Sequence, residues 1–280
     1  MKKLIRQILL IALLLLGTYL CLIHTDRENI SVQYTCHQTE EFYFCEITNG
    51  KTENSPLIIL QHGLDGSKED MNDWAEHLAL SGYTVVILDA AGHGSNALEY
   101  ALDLPDIIKV TSGWYDEILD YYRSNGTAKE DNFAIAGISM GGLIALYYVA
   151  YGKNEPKCII SLYSTYDWNK LTQVEEAYLI MKDGERSPIT EVSAQNEICR
   201  KLKEYSPAND TNSLLQLPIL MINGDCDPIM PIPNTNDFEG KANGQYCLPE
   251  IIIRRGQGHK LAEGDSEESL HFLTHYLPAN

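Results

Sequence analysis

The sequence predicts an α/β fold, with a mostly parallel central sheet flanked by helices, an N-terminal antiparallel hairpin and a small helical cap inserted late in the chain. Three observations carry this expectation. Strand-like and helix-like segments alternate from about residue 56 onward. Several strands, such as PLIILQ, YTVVILD and LPILMIN, are unbroken apolar runs, as parallel strands covered on both faces require. Between Tyr163 and Leu217 lie roughly fifty residues where a compact α/β unit needs only a helix and two short loops.

Taken in order, the chain opens with Lys2, Lys3 and Arg6 ahead of an apolar run from Ile8 to Ile23, the pattern of an export segment. The run is longer than a usual signal core and no A-x-A site follows. Residues 1–27 therefore read as an uncleaved membrane anchor, with a removed signal as the competing reading. Thr18-Tyr19-Leu20 before Cys21 are not the small residues of a lipoprotein site. Either reading puts residues 28–280, one domain, outside the cytoplasm, periplasmic or at the cell surface. Six cysteines follow there, and Cys36 and Cys45 are the best disulfide candidates: VQYTCHQ and FYFCEIT alternate like hairpin strands, and a turn at Glu40-Glu41 sets the sulfurs opposite each other.

After the hairpin at 31–48 come strands at 56–61 and 83–89 around a helix at 68–81, then a helix ending near Ser124 and a strand at 133–138. A helix at 140–151 and a strand at 157–163 lead into the insertion, about 164–210. EEAYLIMKDG and SAQNEICRKLKEY give it a helical reading. Strands at 217–223 and 249–255, a short helix after Pro233 and a final helix near 265–277 complete the order.

The formal net charge of −18 excludes a nucleic-acid partner, whose phosphates demand clustered Lys and Arg. The chemistry centres on Gly137-Ile138-Ser139-Met140-Gly141. A strand that stops at Ile138 and a helix that starts at Met140 leave Ser139 on a tight turn, which glycines two residues to either side make possible. A serine needs a base, and the base an orienting carboxylate. LPILMIN runs into Gly224-Asp225-Cys226-Asp227, and PEIIIRR runs into Gly256-Gln257-Gly258-His259. His259 is preferred over His271 and His275, which lie four apart on the last helix as solvated flank residues; as a metal pair they lack a third ligand. Asp227, deeper in its loop, is preferred as the acid, with Asp225 as the turn residue and Cys226 as a buried neighbour. Two oxyanion donors complete an acyl-transfer site: the N–H of Met140 and, in His62-Gly63-Leu64-Asp65-Gly66, that of Leu64. His62 then reads as a structural histidine beneath its loop.

HGLDGSKED, DAAGHG, AGISMGG, YSPAND, NGDCDPIMP and GQGHKL together resemble the α/β-hydrolase superfamily, within it the bacterial carboxylesterase and dienelactone-hydrolase-like branch. The resemblance covers nearly all of the chain after residue 50. It implies an α/β-hydrolase fold, Ser139 as nucleophile, Asp227 as orienting acid, His259 as general base, and Leu64 and Met140 as oxyanion donors. It implies a small-molecule ester as substrate and no metal or cofactor. Asn223-Gly224 departs from relatives that carry a histidine before this glycine, and the anchor and hairpin are additions.

The same triad serves a serine aminopeptidase, which would hold its substrate ammonium with an acidic pair such as Glu175-Glu176, or a thioesterase or acyltransferase. A membrane-tethered binding protein that keeps the fold without turnover is the reading from another class.

Overall fold

The computed structural model describes residues 31–50, 54–125, 131–230, 238 and 248–279. The apolar run at 8–23, Cys247 and the short helix expected after Pro233 lie outside them, apart from Phe238. Residues Val32–Asn280 cluster as one compact unit. Among the described residues no helix is long and apolar enough to cross a membrane.

An eight-stranded sheet forms the centre, built from β1 (Gln33–Gln38), β2 (Tyr43–Thr48), β3 (Leu57–Gln61), β4 (Thr84–Leu88), β6 (Phe133–Ile138), β7 (Cys158–Leu162), β10 (Ile219–Gly224) and β11 (Glu250–Arg254). Its order is β1-β2-β4-β3-β6-β7-β10-β11. Only β1–β2 and β2–β4 pair antiparallel; the rest of the ladder is parallel. The hairpin thus forms the antiparallel edge that the sequence pattern predicts. Cys36 stands opposite Cys45, and the two are joined by a disulfide. Closing so short a loop contributes about 2–3 kcal/mol by the chain-entropy argument, which matters for a strand pair that is marginal by itself.

Alternation along the parallel strands assigns each face its own core. Leu57, Ile59, Val86, Ile135 and Met221 face the helices α2 (Leu104–Asn125) and α3 (Met140–Tyr151). Ile58, Leu60, Val85, Ala136 and Ile222 face α1 (Asn72–Leu80) and the last helix, Asp265–Tyr276. With both faces covered, β3, β4 and β7 are buried at every position, which is why their sequences carry no polar alternation.

The insertion is less helical than its sequence reading. SAQNEICRKLKEY forms α4 (Val192–Glu204), but EEAYLIMKDG does not form a helix. Glu175–Ala177 makes one 3₁₀ turn, and β8 (Leu179–Lys182) and β9 (Glu185–Pro188) form a hairpin around Asp183-Gly184. Both turn residues have positive φ, 53° and 79°. An Asp-Gly pair between two short runs is the strongest local hairpin signal, and it outweighs the helix propensity of the preceding glutamates. The ribbon extends through β8 onto β5 (Leu102–Asp103), just before α2. Lys201 of α4 reaches across to Asp103 and Asp106 at 2.7 and 2.5 Å, tying the cap to the same corner.

Candidate active site

Ser139 sits between β6 and α3 with φ 55° and ψ −118°. A non-glycine residue held there stores about 1–3 kcal/mol of strain, which the surroundings must enforce. Its N–H donates to Leu162 O at 2.8 Å, and its carbonyl accepts the Leu143 N–H at 3.0 Å. The flanking glycines let the backbones meet: a Cβ on Gly141 would lie 2.2 Å from Gln61 O, and one on Gly137 would lie 2.4 Å from the Gly141 carbonyl carbon. The tight turn expected from the sequence is therefore a contact between β3, β6 and the start of α3.

Two parallel neighbours bring the other groups in. β10 ends at Gly224 and β11 at Arg254, and their loops touch because Gly224 lacks a Cβ, which would otherwise stand 2.1 Å from Gln257 O. Cys226 N–H donates across to that same oxygen at 3.0 Å. Asp227 is buried, and its Oδ1 accepts the N–H groups of Ile229 and Met230 at 2.8 and 2.9 Å. Its Oδ2 lies 2.7 Å from His259 Nδ1, and His259 Nε2 lies 2.8 Å from Ser139 Oγ. An ionised carboxylate only accepts, so Nδ1 carries the proton and bare Nε2 faces the serine hydroxyl. Asp225 instead accepts the Gly256 N–H and is exposed, the turn role expected of it. Cys226 is a correction: it is exposed, because Asp227 takes the inward position and its neighbour then faces solvent.

One partner of His259 has no sequence signal. Tyr163, at the end of β7 with φ 50°, sets its ring edge-on to the imidazole, with centroids 6.4 Å apart. Its hydroxyl donates to the buried Asp265 at 2.8 Å, which also accepts Arg254 Nε at 2.9 Å. Only the fold brings these residues together.

The two expected oxyanion donors both border the cavity at Ser139. Met140 is the first residue of α3, so its N–H has no intrahelical acceptor. The Leu64 N–H has no protein acceptor among the described residues. Its peptide plane is fixed from the other side: Gly63 O accepts from His62 Nδ1 at 2.6 Å and from Gly66 N–H at 3.1 Å. In a trans peptide the Leu64 N–H must then point the opposite way. His62 is fully buried beneath the loop, and its Nε2 accepts the Ala90 N–H at 2.9 Å. This is the structural place the sequence assigns to it, and it also aims a donor.

Burial pushes His62 down to about 4 from its ordinary 6.5. Between these values the unfolded chain takes up a proton that the folded chain refuses, so stability falls as pH falls. The contribution is complete above pH 6.5 and lost as pH drops toward 4, about 3 kcal/mol in all. Urea midpoints at pH 7.5 and 5 are expected to differ less in His62→Gln than in wild type. Equal differences would contradict this account.

Beside Ser139 lies a cavity of about 520 Å³. Tyr163, Tyr166 and Trp168 are fully buried and do not line it: Tyr163 lies behind His259, Trp168 stacks on Tyr147 and Tyr166 packs on Phe238. Of the glutamate pair, Glu176 lines the cavity and Glu175 does not. His271 and His275 are exposed on the last helix, and among the described residues no three His, Cys, Asp or Glu side chains are grouped to hold a metal.

Residues 71–278 match the prolyl oligopeptidase family. YitV of Bacillus subtilis (strain 168), which carries an esterase name, is 24% identical over 237 residues, covering 79% of this chain and 89% of YitV. The Pyrococcus furiosus esterase Pf2001 superposes with a TM-score of 0.63 at 18% identity, over 89% of this chain and 94% of that one. A Mycobacterium tuberculosis puromycin-hydrolyzing peptidase superposes with a TM-score of 0.69 at 14% identity, over 89% of this chain but only 40% of that one. At these identities the two structures share the fold.

Proposed function

This chain belongs to the prolyl oligopeptidase family of α/β-hydrolases, and on that basis we propose that it is a serine hydrolase that cleaves carboxylic esters through an acyl-enzyme. The observation that carries the proposal is the unbroken hydrogen-bonded chain from Asp227 through His259 to Ser139. Ser139 Oγ attacks the ester carbonyl while His259 Nε2 takes its proton. The developing oxyanion is met by the N–H groups of Leu64 and Met140, and Asp227 stabilises the imidazolium. His259 then returns the proton to the departing alkoxide. Water repeats the cycle on the acyl-enzyme and frees the acid. No step calls for a metal or organic cofactor.

A peptidase reading is favoured by the family and by Glu176, an exposed carboxylate on the cavity lining that could hold a substrate ammonium. Turnover of p-nitrophenyl acetate and of prolyl and alanyl p-nitroanilides by one preparation separates the two. Ester turnover alone supports the esterase. Anilide turnover at comparable kcat/KM replaces it with a peptidase.

We propose further that the enzyme works outside the cytoplasm, tethered by its N-terminal apolar segment. The Cys36–Cys45 disulfide supports this placement, since such bonds persist in oxidising compartments.

A further inference from the structure

The cavity at Ser139 is graded. Its buried lining is apolar: Leu104 from α2, Leu143 from α3, Leu171 and Ala177 from the cap turns, with Met71 and Met230. Its exposed members are mostly charged, namely Asp65, Asp70, Glu176 and Lys260. Ser139 is half-buried between these two zones.

Resting on the esterase reading, we infer that this cavity is an acyl-chain site, which seats an apolar chain of several carbons inward and leaves the alcohol portion at the charged rim. Proton flow fixes the orientation. The leaving oxygen must come within reach of His259 Nε2, which returns the proton to it. His259 lies beside the exposed Lys260 and Leu261, so the alcohol departs on the solvent side. The acyl substituent, on the other side of the carbonyl carbon, enters the buried zone. An acetyl group would leave most of about 520 Å³ filled by water against apolar walls, an unfavourable hydration that a longer chain relieves. At the rim Asp65 is paired with Arg186, and the buried lining residues named above offer no cation to an anionic chain end, which leaves the apolar chain as the fitting occupant.

Ala177 sets the size of this site. It is the smallest of the buried lining side chains named above, at 1% exposure on the turn Glu175–Ala177. Phe at this position places a ring in the volume the chain occupies.

The test uses the full chain and p-nitrophenyl esters from acetate to octanoate. Burying a methylene is worth about fourfold in kcat/KM, so octanoate is expected to exceed acetate at least tenfold. In Ala177→Phe that ratio is expected to fall at least tenfold. Methyl octanoate and heptyl acetate, isomers with the chain on opposite sides of the ester, test the orientation without any mutation. Methyl octanoate is expected to be the better substrate at least tenfold. Ester turnover with flat chain dependence, or isomers cleaved equally, would overturn the acyl site and leave the esterase standing. No turnover of any ester would overturn the esterase reading and the acyl site with it.

Discussion

Ser139→Ala is expected to lower kcat/KM for p-nitrophenyl esters by about 10⁴–10⁶, with the fold intact. The side chain is half-buried on a turn whose shape is held by backbone bonds to Leu162 and Leu143, so the loss of one oxygen leaves those contacts in place. Thermal melts of the two proteins should coincide, since alanine keeps the same strained backbone. A less obvious companion is Asp227→Asn. The Ile229 and Met230 N–H groups hold one carboxylate oxygen, so the amide oxygen must stay there and the amide NH₂ must face His259. Imidazole then has to accept at Nδ1 and carry its proton on Nε2, pointing it at Ser139. The base is lost although every atom is near its place, and turnover should drop by about 10⁴. Activity within tenfold of wild type in either variant would remove this triad from the mechanism.

Gly141→Ala is expected to be as damaging through geometry alone. The added carbon would stand 2.2 Å from Gln61 O and 2.9 Å from His62 O, both backbone atoms of β3 and its loop. Nothing flexible can move aside. Either the start of α3 separates from β3, at about 3 kcal/mol or more, or the Met140 N–H and Ser139 shift and kcat falls by more than about 10². Gly113→Ala is the control. Gly113 lies within α2 with nothing near its missing Cβ, and alanine there should stabilise by about 0.5–1 kcal/mol. Denaturant midpoints for the two variants should move in opposite directions. A soluble, fully active Gly141→Ala enzyme would refute the packing argument.

Much of this was legible in the sequence for one reason. Strands buried on both faces have no polar alternation to confuse them, so PLIILQ, FAIAGI and LPILMIN read as strands, and the loops after them are where the chemistry gathers. Ser139 and Asp227 each follow such a strand, His259 follows the half-buried edge strand β11, and the sheet order places β6, β7, β10 and β11 side by side. The cap resisted because its ribbon is short. LIMK spans four residues, too few for a period to emerge, and only Asp183-Gly184 marked the turn. The outward face of Cys226 and the contact of Tyr163 with His259 depend on which loop residue points inward, a choice made by neighbours more than thirty residues away. The cavity was out of reach altogether, since its wall is assembled from β3's loop, α2, α3, the cap and the loops after β10 and β11.

His259 follows β11, which among the described residues has only β10 for a strand neighbour and whose own residues are half-buried or exposed. Strands at such margins open locally at lower free energy than central ones. Ser139, the proposed nucleophile, follows a central strand, while His259, its proposed base, is moored to the margin, 120 residues further along the chain. On the proposed mechanism, catalytic competence tracks the looseness of a single border strand, and activity is lost while the interior is still intact.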